Sequence, residues 1–192
     1  MLKSLIERML LGYEKTTGES ADYVRDIRAA APGGFWRFGF FMPMAQYRKV
    51  LPAEAYAVAK IAAAHSEDCG PCLQTTVNLA VAAGVAPAVI RAAVTRDLAA
   101  MDERTRTAFE FAEAVSARDI RSEELRPRIE SWWGKAGTVE LAFVIASSRV
   151  FPTVKRAMGH GQACTRVTIG SETVRADIAA HDAALASGGL AG

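Results

Sequence analysis

Two cysteines spaced Cys69-Gly70-Pro71-Cys72 are the residues of this chain best suited to covalent chemistry, and they are two of only three cysteines in 192 residues. A Cys-x-x-Cys pair at the start of a helix serves as a dithiol that shuttles electrons. The same spacing also makes half of a zinc site. Pro71 suits a first helical turn, where no N–H is required. Placed three apart on one helix face, the two sulfurs can join with modest adjustment. The helix dipole and the amide N–H groups at that end favour a thiolate over a thiol, and the thiolate is the nucleophile.

Proton handling needs a neighbour. His65 lies four residues before Cys69 and Glu67 two before it, and either is a candidate base or thiolate partner. The plainer role for His65 is a helix C-terminal histidine on the dipole, and acids such as Glu67 and Asp68 are favoured ahead of a helix N-terminus. The zinc alternative would draw on His65, Cys69, Cys72, His160 and Cys164. Structural zinc, however, usually presents a second tight pair, and a helical chain of this size needs no metal to build its core. No metal and no cofactor are therefore expected, and Cys164 alone reads as a small buried residue.

The elements that must position the pair read as helices nearly throughout. Leu2, Leu5, Ile6, Met9 and Leu10 give a first amphipathic helix, and a second runs from about Ala21 to Ala31 before Pro32-Gly33-Gly34. Phe35 to Tyr47 is dense in aromatic residues and methionine, which reads as core or a subunit interface, with a ligand-pocket wall as the alternative. Pro52 opens a helix over Ala53 to about Ala64, and the cysteines open another that reaches Ala83, with Gly84 as its C-cap. Further helices are expected from Pro87 to Val94, Asp102 to Val115, and Ser122 to Gly134. Thr138 should cap a long helix broken or kinked at Pro152, and Ser171 should cap the last one, before a frayed Ser187-Gly188-Gly189 tail. No stretch alternates convincingly with period two apart from short ambiguous pieces such as Arg166 to Ile169. The fold class expected is all-α, with residues 1–50 as an N-terminal helical extension packed on a domain over 51–192.

Composition excludes several classes of function. Hydrophobic residues make up 51% and charged ones 23%, which is globular. A net charge of +2 draws the chain to neither nucleic acid nor anionic membrane. From Cys69 to Ile90 no residue is charged, but Gln74, Thr75, Thr76, Asn78, Gly84 and Pro87 interrupt the run, so two buried helices are expected and not a membrane span. Glu7 and Arg8 break up the apolar N-terminus, which lacks the continuous core of a signal peptide. The expectation is a cytoplasmic protein in a reducing compartment, where a cysteine pair is catalytic or metal-binding more often than a static staple.

Cys-Gly-Pro-Cys is also the thioredoxin tetrapeptide, but thioredoxins set it after a buried strand, and here an alanine-rich helix and a short polar connector precede it. That arrangement resembles the carboxymuconolactone decarboxylase family, in its alkyl hydroperoxidase D-like (AhpD-like) branch. Asp102-Glu103-Arg104-Thr105-Arg106-Thr107-Ala108-Phe109-Glu110-Phe111-Ala112 is similar to the helix after that family's active site. Gly137-Thr138-Val139-Glu140-Leu141-Ala142-Phe143-Val144-Ile145-Ala146 is similar to the helix packed behind it. The resemblance covers about Pro52 to Met158. It implies an AhpD-like helical bundle assembled as a homo-oligomer (dimer, trimer or hexamer). It also implies a thiol-dependent oxidoreductase, of peroxidase or disulfide reductase type, whose partners are a small hydroperoxide or disulfide substrate and a thiol/disulfide electron donor.

In that branch a glutamate on the preceding helix and a histidine four residues after the second cysteine relay protons. Here Thr76 stands at the histidine position, and Ala57, Val58 and Lys60 occupy the region of the glutamate, with Glu54 one turn earlier. Two expectations follow. Either His65 and Glu67 supply the relay to Cys69 and Cys72 from the connector, or the chain is a non-catalytic interaction or assembly protein on the same scaffold. The first attacker also stays open: exposure at the helix end favours Cys69, and the resemblance points to Cys72.

Overall fold

The computed structural model describes residues 2–67, 69–161 and 166–176. Its centre is α5 (Ala53–His65), which is apolar on every side: Val58, Ala59, Ile61, Ala62 and Ala63 are fully buried. A helix without a polar face must be surrounded. Its alanines let α6 (Gly70–Ala82), α7 (Pro87–Thr95), α8 (Glu103–Ala117) and α9 (Arg121–Ala157) approach closely, with Phe109, Leu141 and Val144 completing the core. Asp102 caps α8 by accepting from the N–H groups of Arg104 and Thr105. The all-α expectation holds for the bulk of the chain. Among the described residues, no helix is long and apolar enough to cross a membrane.

Ahead of this core lie α1 (Leu2–Thr17), α2 (Asp22–Ala30), α3 (Pro32–Gly39) and α4 (Met42–Ala45), which share a small apolar cluster of Ile6, Leu10, Ala21 and Phe35. Arg25 clamps α1 to α2 through Glu7 and Glu14, and this guanidinium holds the Glu14 carboxyl down at about 2. Phe38 and Phe41 both meet Phe151 of α9 edge-on, at ring-centre distances of 5.6 and 5.7 Å. These contacts seat the N-terminal helices on the core.

The strap between the two parts is pinned by one buried carboxylate. Glu140, 1% exposed on α9, accepts from the N–H groups of Lys49, Val50 and Leu51 at 2.7, 2.9 and 3.0 Å. Three consecutive donors converge on one side chain, and the carboxylate satisfies the buried N–H of Leu51 together with those of the more exposed Lys49 and Val50.

The structure corrects the sequence reading at three places. Ser171 caps no helix: it sits with Gly170 (φ +61°) in the turn of a hairpin, β1 (Arg166–Ile169) with β2 (Glu172–Arg175), registered Val167 to Val174 and Thr168 to Thr173. Val167 and Ile169 alternate inward onto the core, and the amide of Gln74 on α6 both donates to and accepts from the Thr168 backbone. Where a helix is expected after Ser171, Glu172–Arg175 form β2 instead; the later part of that expected helix, like Cys164, lies outside the described residues. Thr138 caps no helix and lies inside α9, whose break falls at Gly134 (φ +63°), where the Ser122 helix is expected to end. The helix then continues through Pro152, which is buried. Ser122 likewise lies within α9, whose first turn begins at Arg121, with the Asp119 carboxylate accepting from the Arg121 N–H.

Replacing Glu140 with Ala removes the acceptor of three N–H groups, of which that of Leu51 is buried, and should cost about 2 kcal/mol of stability. A urea melt reads this directly, and a loss below about 1 kcal/mol would show that the strap is held by other contacts.

Candidate functional site

Cys69 is the N-cap of α6, in extended conformation (φ −126°, ψ 93°), and its carbonyl accepts the first helical bond, from Leu73. Pro71 fills the first turn as its spacing predicts. The two cysteines are joined as a disulfide across a Cα–Cα distance of 5.2 Å. Both are buried, at 5% and 8% exposure, but only Cys72 lines a cavity.

That cavity, of 250 Å³, lies where the N-terminal helices meet the core. Tyr13, Tyr23 and Met42 close it from α1, α2 and α4, while Lys60, Cys72 and Lys155 face it from α5, α6 and α9. Its walls are mostly apolar, so the Lys60 and Lys155 ammonium groups, with Arg48 on the exposed strap, set its electrostatics. Lys155 is 6% exposed, with Nζ 5.1 Å above the Tyr23 ring; the Lys60 Nζ lies 5.8 Å from the Tyr56 ring. Among the described residues, no carboxylate forms an ion pair with either. Burial pushes the Lys60 ammonium down to about 8. Burial also lowers Lys155, against a weaker opposing attraction from Glu19. The phenols respond in the opposite sense: burial raises Tyr13, Tyr23 and Tyr56, the last to about 12, so all three are neutral donors at physiological pH.

Thr76 lines the same cavity one turn beyond Cys72, but its hydroxyl donates to the Leu73 carbonyl at 2.7 Å. His65 ends α5 and is 2% exposed. Glu67 follows on the connector and accepts from the Arg149 guanidinium at 2.7 Å, while Arg156 donates to its backbone carbonyl. Neither His65 nor Glu67 lines the cavity that Cys72 faces. The structure therefore joins Cys69 and Cys72, leaves His65 and Glu67 outside the cavity that Cys72 lines, and lines that cavity with Lys60 and Lys155 instead. The missed signal was within reach: Lys60 is the one charged residue in the alanine run from Ala55 to Ala64.

For zinc, no three His, Cys, Asp or Glu side chains converge among the described residues. His160 lies 2.8 Å from the Asp26 carboxylate. No family model, curated protein or solved structure matches this chain.

The depressed Lys60 makes a signed prediction. Its folded value of about 8 lies below the ordinary 10.5, so the unfolded chain binds the extra proton between those two values and wild-type stability rises across that window. Lys60→Met should therefore stabilise the protein by about 2 kcal/mol at pH 7, a figure reduced for partial solvation. The gain should shrink as pH climbs from 8 to 10.5. A gain that is absent, or the same at every pH, contradicts the assignment.

Proposed function

We propose that the protein is a thiol-dependent oxidoreductase in which Cys69 and Cys72 cycle between dithiol and disulfide to reduce hydroperoxides or protein disulfides. The observation that carries this is the bridged pair at the start of α6, with Cys72 lining a partly open, cation-lined cavity. The helix N-terminus and the nearby ammonium groups favour the Cys72 thiolate, which makes it the first attacker.

With a hydroperoxide, the Cys72 thiolate attacks the outer oxygen and the O–O bond breaks. The alkoxide leaves and takes a proton, for which the Lys60 ammonium is placed, and Cys72 becomes a sulfenic acid. The Cys69 thiol then attacks the Cys72 sulfur, forming the S–S bond and releasing water. An external dithiol donor returns two electrons by exchange through a mixed disulfide. With a protein disulfide as substrate, the same thiolate opens it by exchange. His65 and Glu67 belong to this reading as the groups orienting the connector that presents Cys69. A homo-oligomer and a cytoplasmic setting, where a donor thiol keeps the pair cycling, belong to it as well.

Mass spectrometry of reduced protein before and after a stoichiometric dose of hydroperoxide tests the reading. The peptide spanning Cys69 and Cys72 should lose two hydrogens, and Cys72→Ser should abolish donor-dependent peroxide consumption. Cys69→Ser should instead trap a sulfenic acid on Cys72. Unchanged consumption in Cys72→Ser would contradict the reading, and no donor-dependent consumption by the wild-type protein would leave a non-catalytic helical protein as the better description.

A further inference from the structure

A second cavity, of 440 Å³, adjoins the first and opens among α1, α2 and α3, lined by Leu10, Val24, Phe35 and Phe38. The two share Tyr13, Tyr23, Met42, Gln46 and Leu79 as their common boundary. Met42 and Gln46 are unbranched side chains that shift at low cost, so the boundary is one a chain can pass. Two ammonium groups stand at one end of this path and an apolar chamber at the other. Together the chambers have the size and lining of small-molecule sites.

Keeping two ammonium groups in a mostly apolar wall, with only the weaker attraction of Glu19 on Lys155 to offset their burial, costs stability. An anionic head group would offset that cost, and the apolar chamber accounts for the rest of such a ligand. We propose that the joined cavities bind a single-chain amphiphilic anion of the fatty carboxylate class, its carboxylate between Lys60 and Lys155 against Cys72 and its tail in the chamber lined by Val24, Phe35 and Phe38. The binding does not rest on the redox reading: it needs the lysines and the chamber, and it holds with the disulfide intact. Occupancy covers the Cys72 sulfur.

Calorimetry of the oxidised protein with octanoate, dodecanoate and hexadecanoate at pH 7 tests this, with dodecanol as the neutral control. Affinity should rise from octanoate to dodecanoate. Lys60→Met and Lys155→Met should each weaken dodecanoate by about tenfold or more, while dodecanol changes by no more than about twofold. Val24→Trp, which fills the tail chamber and touches neither lysine, should remove the advantage of dodecanoate over octanoate. In reduced protein, dodecanoate should slow alkylation of Cys72. No dodecanoate binding, equal binding by both lysine variants, or an unchanged chain-length profile in Val24→Trp each overturns the proposal. Loss of peroxide turnover with dodecanoate binding intact would instead overturn only the redox reading.

Discussion

The Glu140 carboxylate is the constraint on which the site depends. By accepting the N–H groups of Lys49, Val50 and Leu51, it fixes the strap joining the N-terminal helices to α5. That strap decides where Tyr13, Tyr23 and Met42 lie relative to Cys72. Without the anchor, α5 to α9 would still have a core, because Leu51 to Ile145 bury it among themselves. The roof over the cysteines would then rest on the Phe38 and Phe41 contacts with Phe151 and on the Asn78 amide donating to the Thr17 carbonyl. A buried carboxylate in this position is expensive unless every lone pair is used, and three backbone donors use it well.

The site's chemistry then follows from enclosure. Cys72 alone would be one thiol on a helix end. Lining one partly open, mostly apolar cavity with Lys60 and Lys155, it shares surroundings in which positive charge is screened less than in bulk water. The same enclosure pulls Lys60 down toward neutrality, so that the group favouring the thiolate is also able to release a proton near physiological pH. Stability and chemistry pull in opposite directions at this lysine. The core would be more stable with an apolar side chain there, and its retention in an otherwise alanine-lined helix is best understood through what it faces.

Much of this was legible in the residues. The helical course, the cysteine pair at a helix start, Asp102 and Gly84 at helix ends and the apolar α5 all follow from spacing and end chemistry. The hairpin was visible only as an ambiguous Arg166–Ile169 alternation, because four-residue strands carry little periodicity and their pairing is decided by packing on α6. Thr138 misled because a capping residue is equally at home inside a helix, while the helix end read near Gly134 falls where that residue's positive φ marks the break. The site was half legible. His65 and Glu67 are close to Cys69 in sequence, and sequence distance was the only guide to who faces the sulfur. Lys60 reaches the cavity from α5 and Lys155 from α9, and only the tertiary packing joins them.

The central claim is that Cys72 is an activated thiol in a cation-lined cavity. Thiolate absorbance of the Cys69→Ser variant, followed as a function of pH, measures this directly. Activation places the Cys72 midpoint well below the ~8.5 of an ordinary cysteine, and Lys60→Met moves it upward. A midpoint at or above ~8.5 that ignores Lys60 would contradict it.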